Sequence, residues 1–141
     1  MSKNYKVLKQ LGEGTFSKAF LCEKESDGFL CVIKQILIEK MNEQEISDVL
    51  NESNILKILN YPYIIKFYDV FESKKPKHMI NNVTEYADEG DLSGKINERK
   101  NKNENFTKSE ILDYLTQIYL AIKHIHDKKI IHRDLKSENI F

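Results

Sequence analysis

His132-Arg133-Asp134-Leu135-Lys136-Ser137-Glu138-Asn139 is the most informative stretch of the chain. It follows directly on a long helical pattern and sets an acid, a base and an amide close together. Asp134 can orient or deprotonate a hydroxyl. Lys136, two residues on, can neutralise charge on a transferring phosphoryl group. Asn139 offers a carbonyl oxygen to a hard cation such as Mg2+. A solvated polar loop has a similar composition, so the order of the residues carries the distinction.

Immediately upstream, Thr107-Lys108-Ser109-Glu110 fits a capping box and predicts a helix from about Lys108 to Asp127. Ile111, Leu112, Tyr114, Leu115, Ile118, Tyr119, Leu120, Ile122 and Ile125 cover most of its circumference. A helix apolar nearly all round is expected to be buried on several sides. Only about fifteen residues follow it, too few to cover it. Each uncovered large apolar side chain forgoes about 1.5–3 kcal/mol, and several rival the stability of a whole domain, about 5–15 kcal/mol. The expectation is a fragment that is marginally stable or prone to aggregate.

Towards the N-terminus the pattern changes to strands. Tyr5 to Leu11, Phe16 to Glu23 and Phe29 to Ile38 read as three strands, with Ser26-Asp27-Gly28 as a turn between the last two. Glu43 to Asn60 reads as a helix closed by Pro62. Ile64 to Phe71 and His78 to Thr84 read as two further strands, separated by a charged loop from Glu72 to Lys77. Asn81 and Asn82 weaken the last strand and leave its register open. Beyond Tyr86, where a domain boundary is placed, Asp88-Glu89-Gly90-Asp91 is a connector, Leu92 to Lys100 a short helix and Asn101 to Asn105 a polar loop.

Two charges in the strand-rich half are out of place. Lys34 shares a strand face with Leu30, Val32, Ile36 and Ile38. Glu52 stands in a helical stripe with Val49, Leu56 and Leu59. A lysine on an apolar face is costly unless paired. Either residue alone could reach water along its own stem; together, on a strand and the helix that follows it, they suggest an ion pair holding an ammonium ready for phosphates. Gly12-Glu13-Gly14 at a strand–turn–strand corner lets backbone N–H groups approach an anion closely. Taken alone it also fits a tight hairpin with no ligand. A dinucleotide fold needs glycines between a strand and a helix, whereas a strand follows here and position 17 is Ser.

Composition limits the partners. The 141 residues hold 22 Lys+Arg and 22 Asp+Glu, a net charge of zero, which argues against nucleic acid or an anionic membrane held by bulk electrostatics. No apolar run is long enough to span a bilayer. Cys22 and Cys31 lack metal-ligand spacing and suggest no disulfide framework. A reduced, cytoplasmic protein is the simplest expectation.

Taken in order, these motifs resemble a eukaryotic protein kinase domain of the serine/threonine type across the whole chain. Gly12 to Ser17 resembles the phosphate-covering loop, Cys31-Val32-Ile33-Lys34 the third-strand lysine motif, Glu52 the helix glutamate, Thr84 the gatekeeper, Glu85-Tyr86-Ala87 the adenine hinge, and His132 to Asn139 the catalytic loop. The implied fold is α+β: a five-stranded antiparallel N-lobe sheet with its helix over residues 1–86, and the first helices of an incomplete helical C-lobe over 87–141. The implied ligands are ATP, Mg2+ and a protein carrying the acceptor Ser or Thr. Lys34, braced by Glu52, would hold the α- and β-phosphates. Leu11, Gly12, Glu13 and Gly14 would border the nucleotide. Ala19, Val32 and Phe141 would sandwich the adenine, and backbone groups of Glu85 and Ala87 would bond it. Asp134 would be the catalytic base, Lys136 a γ-phosphate contact and Asn139 the magnesium ligand. Lys136 after Asp134-Leu135 is the serine/threonine form of the loop. Arg133 would hold a phosphorylated activation loop; His132, Leu56 and Phe67 would be internal packing residues.

Val32-Ile33-Lys34-Gln35-Ile36, Glu89-Gly90-Asp91-Leu92 and Ser137-Glu138-Asn139-Ile140-Phe141 resemble the NIMA-related group, as does Leu120 to His126. That kinship implies a cytoskeletal or ciliary setting. The alternative is a catalytically inactive, pseudokinase-like nucleotide binder; the intact motif residues favour the active reading.

Overall fold

Five short strand segments build the first half. In the computed structural model, which describes residues 4–74 and 76–141, β1 (Tyr5–Glu13), β2 (Ser17–Lys24), β3 (Leu30–Leu37), β4 (Phe67–Ser73) and β5 (Met79–Glu85) form one sheet. Its spatial order is β1-β2-β3-β5-β4, and every pairing is antiparallel. The expected five-stranded antiparallel sheet with a helix after its third strand is therefore present.

The side-chain period of two separates two buried layers. On one face Cys22, Cys31, Ile33 and Val83 pack with Tyr5, Phe20 and Phe71. On the other, Ile36, Ile38 and Ile80 pack with Val70, Met41, and Ile46 and Val49 of α1 (Glu43–Ile58). Asn42 caps α1 reciprocally with Glu45. Cys22 and Cys31 lie directly opposite each other, both free and buried; burial, with Cys31 beside it, pushes the Cys22 thiol up to about 11.

Several boundaries move from those the sequence suggests. α1 ends at Ile58 rather than Asn60, because Leu59 leaves the helical conformation and is buried. Ile64 and Ile65 are not in β4: a turn closed by Ile64 N–H donating to the Tyr61 carbonyl (3.0 Å) uses the apolar run, and the strand starts at Phe67. The charged loop is shorter than expected, since Glu72 and Ser73 pair with Ile80 and Met79. Gly12 and Glu13 lie in β1, opposite Ala19 and Lys18, so the turn proper is Gly14-Thr15-Phe16. Between β2 and β3 the chain reverses through Gly28, whose φ of 71° suits glycine.

Asn81 and Asn82 keep the β5 register intact. Both are buried, and they face opposite layers. Asn81 accepts from Gln35 Nε2 (3.1 Å) and donates through Nδ2 to the Phe71 carbonyl (3.2 Å) and to Ser73 Oγ (3.1 Å). A buried amide with its hydrogen bonds made fits a strand interior.

Contacts along the chain define two units, residues 1–60 with 65–86, and 61–64 with 87–141. In the second, α2 (Leu92–Asn101) is capped by Asp91, which accepts from Gly94 N–H (2.7 Å). α3 (Lys108–Asp127) carries the capping box expected at Thr107 and Glu110. Arg99 of α2 reaches Glu110 of α3 through both guanidinium NH groups and lies 4.4 Å over the Phe106 ring, joining the two helices. Tyr61 stacks on His124 with ring centroids 4.4 Å apart. Among the described residues of α3 only Ile125 is buried. Leu112, Leu115 and Tyr119 are 53, 57 and 64% exposed, so this face, whose apolar pattern implies burial, is uncovered. No helix among the described residues is long and apolar enough to cross a membrane.

Candidate functional site

In the first unit β3 presents Lys34 on the face that α1 covers, and Glu52 meets it from the helix with Nζ and Oε1 3.6 Å apart. The pairing is as the sequence suggests, but the burial is not. The two side chains are 46 and 56% exposed, because the apolar layer begins beyond them at Ile36 and Ile80. Lys34 stands at the edge of that layer, where an ammonium can meet both a carboxylate and a ligand from solvent.

The glycine corner is held by Gly14 N–H donating to the Ser17 carbonyl (2.7 Å) and by Leu37 N–H donating to the Phe16 carbonyl (2.9 Å). A Cβ added at Gly14 would sit 3.2 Å from Ser17 Oγ, whereas one at Gly12 would meet nothing within 4 Å. Leu11 is exposed, and so is the Glu13 carboxylate, which pairs with Lys18 (2.9 Å). Ala19 lies opposite Lys34 across β2–β3, and Val32 opposite Thr84 across β3–β5. The Glu85 N–H is donated to the Lys66 carbonyl (2.8 Å), so it is not free for a base.

The second unit carries the loop after α3. Ile130 N–H donates to the Ile125 carbonyl (3.0 Å) as the helix ends, and Lys129 takes a φ of 62°. Arg133 also has positive φ (66°). Asn139, in the single turn Ser137–Asn139, donates through Nδ2 to the Asp134 carbonyl (2.8 Å) and to Asp134 Oδ2 (2.9 Å). Lys136 Nζ lies 3.2 Å from the same carboxylate oxygen. Hydrogen bonding by Lys136 first, then by Asn139, holds the Asp134 carboxyl below its usual range. The sequence thus brings Asp134, Lys136 and Asn139 into one cluster.

His132 departs from the internal-packing role that the resemblance implies. It is exposed, and its Nδ1 accepts from Asp134 N–H (3.3 Å). Leu56 and Phe67 are half-buried. Ala87 and Phe141 line an apolar hollow of about 280 Å³ with Leu92, Tyr114 and Ile140. Sequence reading missed this hollow because its lining comes from residues scattered over the second unit.

The donor set fits a magnesium carried in on phosphates better than one caged by protein. Both hydrogen bonds made by Asn139 Nδ2 go to Asp134, which leaves Asn139 Oδ1 to a cation. Among the described residues no group of three or more His, Cys, Asp or Glu side chains could hold a metal. Magnesium typically retains waters and uses one or two protein oxygens beside substrate phosphates.

Residues 5–141 match the protein kinase domain family. The chain is 41% identical over 137 residues to serine/threonine-protein kinase Nek5 of Homo sapiens, covering 97% of this chain and 19% of that protein. It is 39% identical to the probable serine/threonine-protein kinase nek3 of Dictyostelium discoideum (97% and 12% covered). It is 35% identical to serine/threonine-protein kinase nekl-2 of Caenorhabditis elegans (97% and 40%). The chain therefore spans less than half the length of each of these relatives. Their names bear out the NIMA-related likeness. With a matched sequence, a five-stranded sheet bearing the lysine–glutamate pair and a loop joining Asp134, Lys136 and Asn139, the chain belongs to the protein kinase domain family.

Proposed function

We propose that the chain is the ATP-binding and catalytic-loop part of a serine/threonine protein kinase. The reading rests above all on the Asp134 carboxylate, gripped by Asn139 Nδ2 at 2.9 Å and Lys136 Nζ at 3.2 Å. A carboxylate fixed by two donors is oriented, and a lowered pKa keeps it ionised at neutral pH. In the proposed reaction the acceptor hydroxyl oxygen bonds to the γ-phosphorus of ATP, and the bond to the β–γ bridging oxygen breaks, releasing ADP. The hydroxyl proton goes to Asp134 Oδ. Lys136 stabilises charge on the transferring group, and Lys34, braced by Glu52, holds the remaining phosphates. Asn139 would hold magnesium through Oδ1, and that ion would neutralise phosphate charge.

The relatives' names and Lys136 after Asp134-Leu135 support a serine/threonine acceptor. The test is phosphorylation of a generic Ser/Thr substrate by the whole protein, with Asp134→Asn and Lys34→Ala alongside. Loss of the base is expected to lower kcat by about 10²–10⁴. ATP binding that depends on Lys34, without any transfer, would favour the inactive nucleotide-binding alternative.

A further inference from the structure

Ser53 and Asn82 are buried, at 1 and 2% exposure, in the otherwise apolar layer between α1 and the sheet. Ser53 follows Glu52 on α1, and Asn82 lies directly across from Lys34 on β5. Ser53 Oγ is 2.8 Å from Asn82 Oδ1 and 3.0 Å from the Val49 carbonyl. A hydroxyl has one proton, so it cannot donate fully to both. Asn82 Nδ2 meanwhile is buried without a partner.

Turning the Asn82 amide over resolves both difficulties, since its nitrogen and oxygen occupy equivalent positions. Nδ2 then donates to Ser53 Oγ, and the Ser53 proton goes to Val49. The unpartnered group becomes a carbonyl oxygen, which tolerates burial better than an orphaned N–H.

We propose that Ser53 and Asn82 form a polar clasp that positions Glu52 for Lys34, a role that rests on the phosphate-holding reading of Lys34 above. The Lys34–Glu52 pair is exposed and 3.6 Å long; surface pairs of this kind contribute little and do not fix a helix. The apolar contacts of Ile46 and Val49 hold α1 against the sheet, but such contacts are non-directional. A buried hydrogen bond has direction. With 3.6 residues per helical turn, pinning Ser53 sets the azimuth of the adjacent Glu52. Ser53 and Asn82 are therefore positioning residues that act through Glu52.

The test is zero-length carbodiimide coupling of the whole protein. The Lys34–Glu52 amide is quantified by peptide mass spectrometry against the Lys18–Glu13 amide, a pair 2.9 Å apart at the β1–β2 edge. Ser53→Ala is expected to lower the ratio about fivefold, the factor set by one ordinary net hydrogen bond. In kinetics, Ser53→Ala lowers kcat/KM in the parent but adds no further loss in a Glu52→Gln background, while the melting temperature falls in both. An unchanged amide ratio in the folded variant, or kinetic losses that multiply, overturns the clasp. If Ser53→Ala does not fold, Asn82→Leu, an apolar replacement of similar size, carries the same coupling measurement. Absence of Lys34-dependent transfer by the parent would defeat the kinase reading, whereas the amide ratio would still decide the clasp.

Discussion

Lys136 Nζ lies 3.2 Å from Asp134 Oδ2, the oxygen that also accepts from Asn139, and the consequence is a direction in pH. Lys136 is the main cause of the lowered Asp134 pKa, ahead of Asn139. Removing the ammonium raises that pKa, so the base is neutralised at a higher pH. Lys136→Met is therefore expected to move the acid limb of the kcat/KM profile of the whole protein to higher pH, whatever the fall in its plateau. A limb that stays in place would show that Lys136 does not tune the base. Asn81 gives a stability prediction at the same scale. Its amide serves Gln35, Phe71 and Ser73 in a fully buried position. Asn81→Leu keeps the volume but leaves those partners unmatched, at a cost of about 1–3 kcal/mol, measurable as a lower urea midpoint at unchanged slope.

At the scale of elements, the start of α3 shows how one residue can join two helices. Glu110 accepts from the Thr107 backbone, from Arg99 of α2 and from the Thr107 hydroxyl, and these bonds lower its pKa to about 2. The folded value lies below the ordinary 4.5. Its stabilisation is thus present above about pH 4.5 and is lost as pH falls towards about 2. Glu110→Gln is expected to lower the melting temperature at pH 6, with the difference from the parent closing as pH approaches 2. Thr107 and Glu110 were legible in the sequence because a capping box is local chemistry. So were the limits of α3 and the number and order of the strands, which follow from periodicity. The limits of β4 were not, since Ile64 and Ile65 look the same in a strand and in a turn. The burial of Lys34 and Glu52 was misjudged for a related reason: parity names the face but not how far along it the packed layer extends. The Ser53–Asn82 contact spans 29 positions of sequence, and no local pattern points to it.

For the chain as a whole, the uncovered face of α3 decides behaviour in solution. Leu112, Leu115 and Tyr119 fall at spacings of three and four, so they form one stripe on the helix. Ile111 beside them, and Ile131 and Leu135 in the following loop, are exposed as well. Contiguous apolar surface of this kind promotes association. With 22 positive and 22 negative residues, net charge supplies no opposing repulsion near neutral pH. A polypeptide of residues 1–141 is therefore expected to self-associate in a concentration-dependent way by sedimentation velocity. Leu115→Lys with Tyr119→Lys should shift it towards monomer. Both side chains are already more than half in water, so the double change should move stability by no more than about 0.5 kcal/mol per site. Ile125, buried on the same helix, is the control: Ile125→Ala should cost about 2–5 kcal/mol without relieving association. If the lysine pair unfolded the chain while Ile125→Ala did not, the exposed stripe would be a packed face, and the account of α3 would have to be reversed.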